Sequence, residues 1–79
     1  MVDLKFKRTV VGWYNVYWRK SEALSDDYED TYFNMPPETV QRFLNDKEVF
    51  TLMFRRNVPT DRFTKLKKLG KELKKAPTV

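Results

Sequence analysis

The 79-residue chain contains no cysteine and no histidine. Disulfides, a thiolate nucleophile and cysteine- or histidine-based metal sites are therefore excluded, and so are most acid–base constellations. Only two glycines occur, Gly12 and Gly70, so no glycine-rich loop exists to cradle a phosphate. The only serines, Ser21 and Ser25, lie in a polar stretch where nothing would dehydrate or orient them as nucleophiles. Long apolar runs are missing too: the longest, Val49–Phe54, has six residues and is interrupted by Thr51. A spanning helix needs about 20. The opening MVDLKFKRTVVGWY is basic in part but has no apolar run of the kind a secretory leader needs. The expectation is a soluble, cytoplasmic, non-enzymatic protein with no catalytic residues, no metal site and no cofactor.

Aromatic residues are plentiful, with six Phe, four Tyr and two Trp, and the hydrophobic fraction is 41%. That is too apolar for a disordered chain and enough for one small folded domain spanning residues 1–79. The net charge of +5 is distributed in blocks. Residues 1–20 carry +4, residues 21–30 carry −5, and residues 51–79 carry +7. Two basic segments are thus separated by an acidic connection.

Residues 9–18 (TVVGWYNVYW) are rich in β-branched and aromatic types and read as a strand, with Leu4 and Phe6 either extending it or forming a separate short strand. Strand alternation then sends Trp13 and Trp18 to opposite faces, leaving one of them partly exposed. Tyr28–Met35 reads as a second strand, hairpinned to the first. Pro36 and Pro37 end it and open a helix, where a missing N–H costs nothing. Val40, Phe43 and Leu44 form the apolar stripe of that helix, which ends near Asn45. Residues 48–56 read as a third strand with Phe50, Leu52 and Phe54 on one face, and Asn57-Val58-Pro59 as a break. Thr60 or Asp61 can cap a last helix whose apolar edge is Phe63, Leu66, Leu69 and Leu73. The expected fold is α+β, in β-β-α-β-α order. Two helices cover one face of a three- or four-stranded, mainly antiparallel sheet. Gly70 either lies inside the last helix, allowing close packing, or caps it and leaves 71–79 as a loose basic tail.

Three features bear on function. On a helical projection Lys67, Lys68, Lys71, Lys74 and Lys75 share an arc of about 120° opposite the leucines. A single-sign arc is a phosphate-contacting surface, although a solvated face also carries charge. Arg55 and Arg56 are flanking charge. Trp13, Tyr14, Tyr17 and Trp18 beside Arg19 and Lys20 resemble the stacking platform that single-strand binders use, with Tyr14 or Trp18 as the stacking group. The acidic block Asp26-Asp27-Tyr28-Glu29-Asp30 lacks the glycine and ligand spacing of a calcium loop and reads as a solvated hairpin end.

These features point to a small non-catalytic module that binds nucleic acid, single-stranded or by its backbone, through the lysine-rich helix and the sheet aromatics. The alternative is a small regulatory or inhibitory protein, of the size viruses and mobile elements encode, that docks on a larger protein through exposed aromatics and charge blocks. In that case opposite blocks can also pair two copies into a homodimer. Membrane attachment is not expected, because the apolar edge of the basic helix is narrow and is needed to cover the sheet.

Overall fold

The computed structural model describes residues 1–47 and 51–75, with backbone alone for Lys74 and Lys75. Six elements follow one another: β1 (Val2–Arg8), β2 (Tyr14–Lys20), β3 (Glu29–Met35), α1 (Pro37–Leu44), β4 (Met53–Val58) and α2 (Thr60–Lys75). The fold is α+β. One antiparallel sheet has the order β3-β2-β1-β4, and both helices lie against one of its faces.

Alternation decides which face is covered. Val2, Leu4 and Phe6 of β1 stand beside Val58 and Phe54 of β4 and beside Val16 of β2. With Tyr14, Phe33 and Met35 they form the core, closed by Val40 of α1 and by Phe63 and Leu66 of α2. Phe6 stacks on Phe54 with ring centroids 4.7 Å apart, and Tyr14 meets Phe54 edge-on at 5.5 Å. Such pairs add about 0.5–1.5 kcal/mol beyond their area.

The β1–β2 connection corrects the single strand expected over residues 9–18. Residues 9–13 form a turn, closed by Thr9 N–H donating to the Trp13 carbonyl at 2.7 Å and Gly12 N–H donating to that of Thr9 at 2.9 Å. Gly12 supplies the left-handed backbone this turn needs (φ +88°). Leu4 and Phe6 therefore belong to a separate strand, and the order is β-β-β-α-β-α.

Helix α1 starts at the prolines and ends at Asn45 as its residue pattern implies. Thr39 and Val40 N–H groups donate to the Pro36 carbonyl, and Asn45 closes the helix in the left-handed conformation (φ 53°). Strand β4 begins later than expected and includes Asn57 and Val58, so the expected break is confined to Pro59. Leu52 lies outside it and is 80% exposed, whereas Phe54 packs on the core. Phe50, expected beside them, falls outside the described residues.

Helix α2 runs through Gly70 to Lys75, so residues 71–75 are helical rather than a loose tail. Gly70 is buried against the Phe33 ring. Among the described residues no helix is long and apolar enough to cross a membrane.

Candidate nucleic-acid interface

The sheet face turned away from the helices carries the polar members of the same alternation. β1 contributes Asp3, Lys5 and Lys7; β2 contributes Asn15, Tyr17 and Arg19; β4 contributes Arg55 and Asn57. Register puts them in rows: Arg55, Lys5 and Tyr17 lie side by side across three strands, with Asn57, Asp3 and Arg19 in the next row.

Tyr28, in the segment leading into β3, lays its ring on this face. The Lys5 ammonium sits 4.4 Å from the ring centroid, the Arg19 guanidinium 4.9 Å and that of Arg55 5.8 Å. Lys5 is also 5.5 Å from the Tyr17 ring. Each contact is worth about 0.5–1 kcal/mol at a solvated site. Two partly exposed phenol rings are thus interleaved with cations at the centre of the sheet.

One end of the face is held by a polar network. Asp3 accepts from the Asn57 amide, from the Ser21 hydroxyl at 3.2 Å and from Arg19 at 3.4 Å. These bonds, Asn57 foremost, hold its carboxyl below the usual carboxylate range. Arg19 also donates to the Ser25 carbonyl at 3.0 Å and to the Asp26 carboxylate at 3.1 Å, and the Asp26 bond is the main reason its guanidinium is pushed up. Arg19 is thereby neutralised. Among the described residues Lys5, Lys7 and Arg55 have no ion pair.

Of the two stacking groups expected from the sequence, Tyr14 is corrected and Trp18 lies on the helix side. Tyr14 is fully buried, with its hydroxyl donating to the Thr51 carbonyl at 2.9 Å, and no base can reach it. Trp18 is half-buried on the helix side, its ring 5.1 Å from that of Phe63. Val16 and Trp18 of β2 pair with the core residues Phe6 and Leu4, so the even-numbered residues of β2 face the core and Tyr17 faces out. Trp13 is 41% exposed because it ends the turn, and strand alternation is not the cause.

Arg55 and Arg56, expected to flank one surface, point to opposite faces. Arg56 projects to the helix side, lies 5.0 Å from the Phe54 ring and pairs with Asp46 at 2.6 Å, tying β4 to the end of α1. On α2, Lys67, Lys68 and Lys71 are exposed, and the Lys67 ammonium lies 4.9 Å from the Phe63 ring. The side chains of Lys74 and Lys75 lie outside the described residues. Because α2 covers the far side of the sheet, its lysines and the sheet aromatics do not meet in one surface. Tyr28 and Lys5 are residues the sequence reading missed. Alternation with Leu4 and Phe6 was the available signal for Lys5, and Tyr28 had none.

Strand β3 departs from regular pairing beside this face. Asn34 pairs with Asn15 and Asp30 with Tyr17, so Val16 alone faces residues 31–33. Within this bulge Thr31 Oγ1 donates to the Val16 carbonyl at 2.7 Å, and Tyr32 N–H donates to Asp30 at 2.8 Å. Tyr32 is held at φ 61°, a conformation that costs a bulky residue about 1–3 kcal/mol. Among the described residues, no group of three or more carboxylates is placed to hold a metal ion. Comparison of the chain with protein-family models, with curated proteins and with solved structures finds no match in any of the three.

Proposed function

We propose that this protein is a small non-catalytic module that binds single-stranded nucleic acid on the open face of its sheet. The observation that carries this reading is the convergence of Lys5, Arg19 and Arg55 on the Tyr28 ring, with Tyr17 alongside. Phenol rings offer stacking to unpaired bases, and Lys5, Lys7 and Arg55 offer charge to the phosphates between them. A duplex hides its base faces, so an aromatic face of this kind favours unpaired strands. The exposed lysines of α2 form a second basic surface on the opposite side, away from these rings.

A labelled ten-nucleotide single strand, titrated at low salt and read by fluorescence anisotropy, tests the reading. Tyr17→Leu and Tyr28→Leu keep apolar cover on the sheet and remove the phenol. Each is expected to weaken binding about tenfold, the value of one lost stacking contact. Absence of binding, or unchanged affinity in both variants, contradicts the proposal.

A second reading, docking on a larger protein, is favoured by one observation. Arg8 N–H donates to the Leu52 carbonyl, which brings exposed Leu52 to the same end of the sheet as exposed Val10 and Val11. An apolar tip of this kind is a feature of protein contact sites.

A further inference from the structure

A cleft of about 330 Å³ lies beside the β3 bulge at the edge of the proposed binding face, lined by Trp13, Asn15, Asp30, Tyr32 and Asn34 together with the helix-side Phe33 and Leu73. We infer that this cleft is a nucleobase subsite that selects bases bearing an exocyclic amine, adenine among them, over thymine and uracil in a bound single strand. The inference rests on the single-strand reading of the sheet face and deepens it.

The lining chemistry is that of a planar ligand with hydrogen-bonding edges. Trp13 and Tyr32 are the two large aromatic side chains at this end with broad exposure, 41% and 77% respectively. Both border the same cleft. A ring face offers stacking to any base, so these two supply affinity rather than choice. Choice comes from the polar groups. Asn15 and Asn34 are cross-strand partners, which places two primary amides side by side. An amide presents a donor and an acceptor together and matches the N6–H and N7 edge of adenine in a bidentate pair. Asp30 uses Oδ1 on the Tyr32 N–H, leaving its other oxygen to accept from an exocyclic amine. A carboxylate at that position repels the keto edge of thymine or uracil and repels a phosphate, so the strand must enter base first.

Phosphate binding is provided next door. Lys7 of β1 is the cross-strand partner of Asn15, so a cation flanks the amide pair on the side away from β3. A nucleotide with its base between Trp13 and the two amides would direct its phosphate toward Lys7 and Lys5. A neutral sugar would use the rings and amides but would gain nothing from this row of cations. Charge complementarity therefore favours the nucleotide strand.

The test is an NMR titration of isotope-labelled full-length protein with ten-nucleotide oligo(dA) and oligo(dT), together with anisotropy on the same strands. Expected is a shift of Lys5, Lys7 and Arg55 backbone signals with both strands. The Asn15 and Asn34 side-chain amides are expected to shift with oligo(dA) only, and the Trp13 indole N–H more with oligo(dA) than with oligo(dT). Oligo(dA) should bind roughly tenfold more tightly, the discrimination of one bidentate contact. The variants Asn15→Ala and Asn34→Ala should each bring the preference close to unity by weakening oligo(dA) more than oligo(dT). Sheet-face shifts with both strands, no movement of Asn15, Asn34 and Trp13, and equal affinities would overturn the subsite and leave the single-strand reading standing. No shift anywhere with either strand overturns both. A neutral oligosaccharide that moves the cleft signals when oligo(dA) does not overturns the base assignment alone.

Discussion

Gly70 lies so close to Phe33 that a Cβ added to the glycine would fall 2.5 Å from the ring. The ring belongs to a strand residue of the core cluster, open only where it borders the cleft, so it yields less readily than a flexible side-chain end would. Gly70→Ala gains about 1 kcal/mol of helix propensity. It loses about 1–3 kcal/mol to overpacking, and the clash at this distance lies at the upper end. The variant is expected to be less stable by about 1–2 kcal/mol in urea unfolding. In a Phe33→Leu background, where space is released, the same substitution should be neutral or stabilising. A double-mutant cycle on these two positions measures that sign change directly.

Asp3 makes stability fall in acid. Its folded-state carboxyl is lowered from the ordinary value of 3.8, chiefly by the Asn57 amide, so the charged form is favoured on folding. Its contribution is complete above the unfolded-state value and is lost as pH falls through the lower folded-state value. Unfolding curves between pH 6 and pH 2 should show a decline beginning below about pH 4, steeper in wild type than in Asp3→Asn. An equal acid slope in both proteins contradicts the Asp3 assignment.

The two tryptophans should behave differently. Trp18→Ala removes a ring packed on Phe63 and is expected to cost about 3 kcal/mol. That is a large part of the roughly 4–8 kcal/mol available to a domain of this size. Trp13→Ala, at the end of a turn, should cost less than about 1 kcal/mol. Acrylamide quenching should reach Trp13 more readily than Trp18. Comparable unfolding of both variants contradicts this assignment.

The helices were the most legible part of the fold. Two prolines marked the start of α1, and the leucine spacing of α2 marked the face it buries, because both signals are local. The sheet was harder to read. Val10, Val11 and Trp13 have strand-forming side chains yet lie in a turn, and Gly12 alone signalled it. Alternation puts Tyr14, Val16 and Trp18 on one face and Tyr17 on the other, but a strand read from residue 9 carries large groups on both faces, so nothing local marks which face is the core. The cluster around Tyr28 joins residues from β1, β2, β4 and a connecting segment. No sequence spacing announces a contact that depends on sheet order. The Asn15–Asn34 pair is hidden for the same reason, since a bulge sets its register.

The salt dependence of single-strand binding tests the central claim most directly, because it counts phosphate contacts on a chosen surface. Each contact contributes about −0.7 to the slope of log K against log salt. A Lys5→Gln, Lys7→Gln, Arg55→Gln variant removes the cations of the open sheet face, and a Lys67→Gln, Lys68→Gln, Lys71→Gln variant removes the same charge from α2. Both should remain folded by circular dichroism, since none of the six side chains belongs to the buried core. The account predicts a slope shallower by about 2 units for the sheet variant and an essentially unchanged slope for the helix variant. A slope that flattens only in the helix variant, or in neither, contradicts the assignment of the open sheet face as the nucleic-acid contact surface.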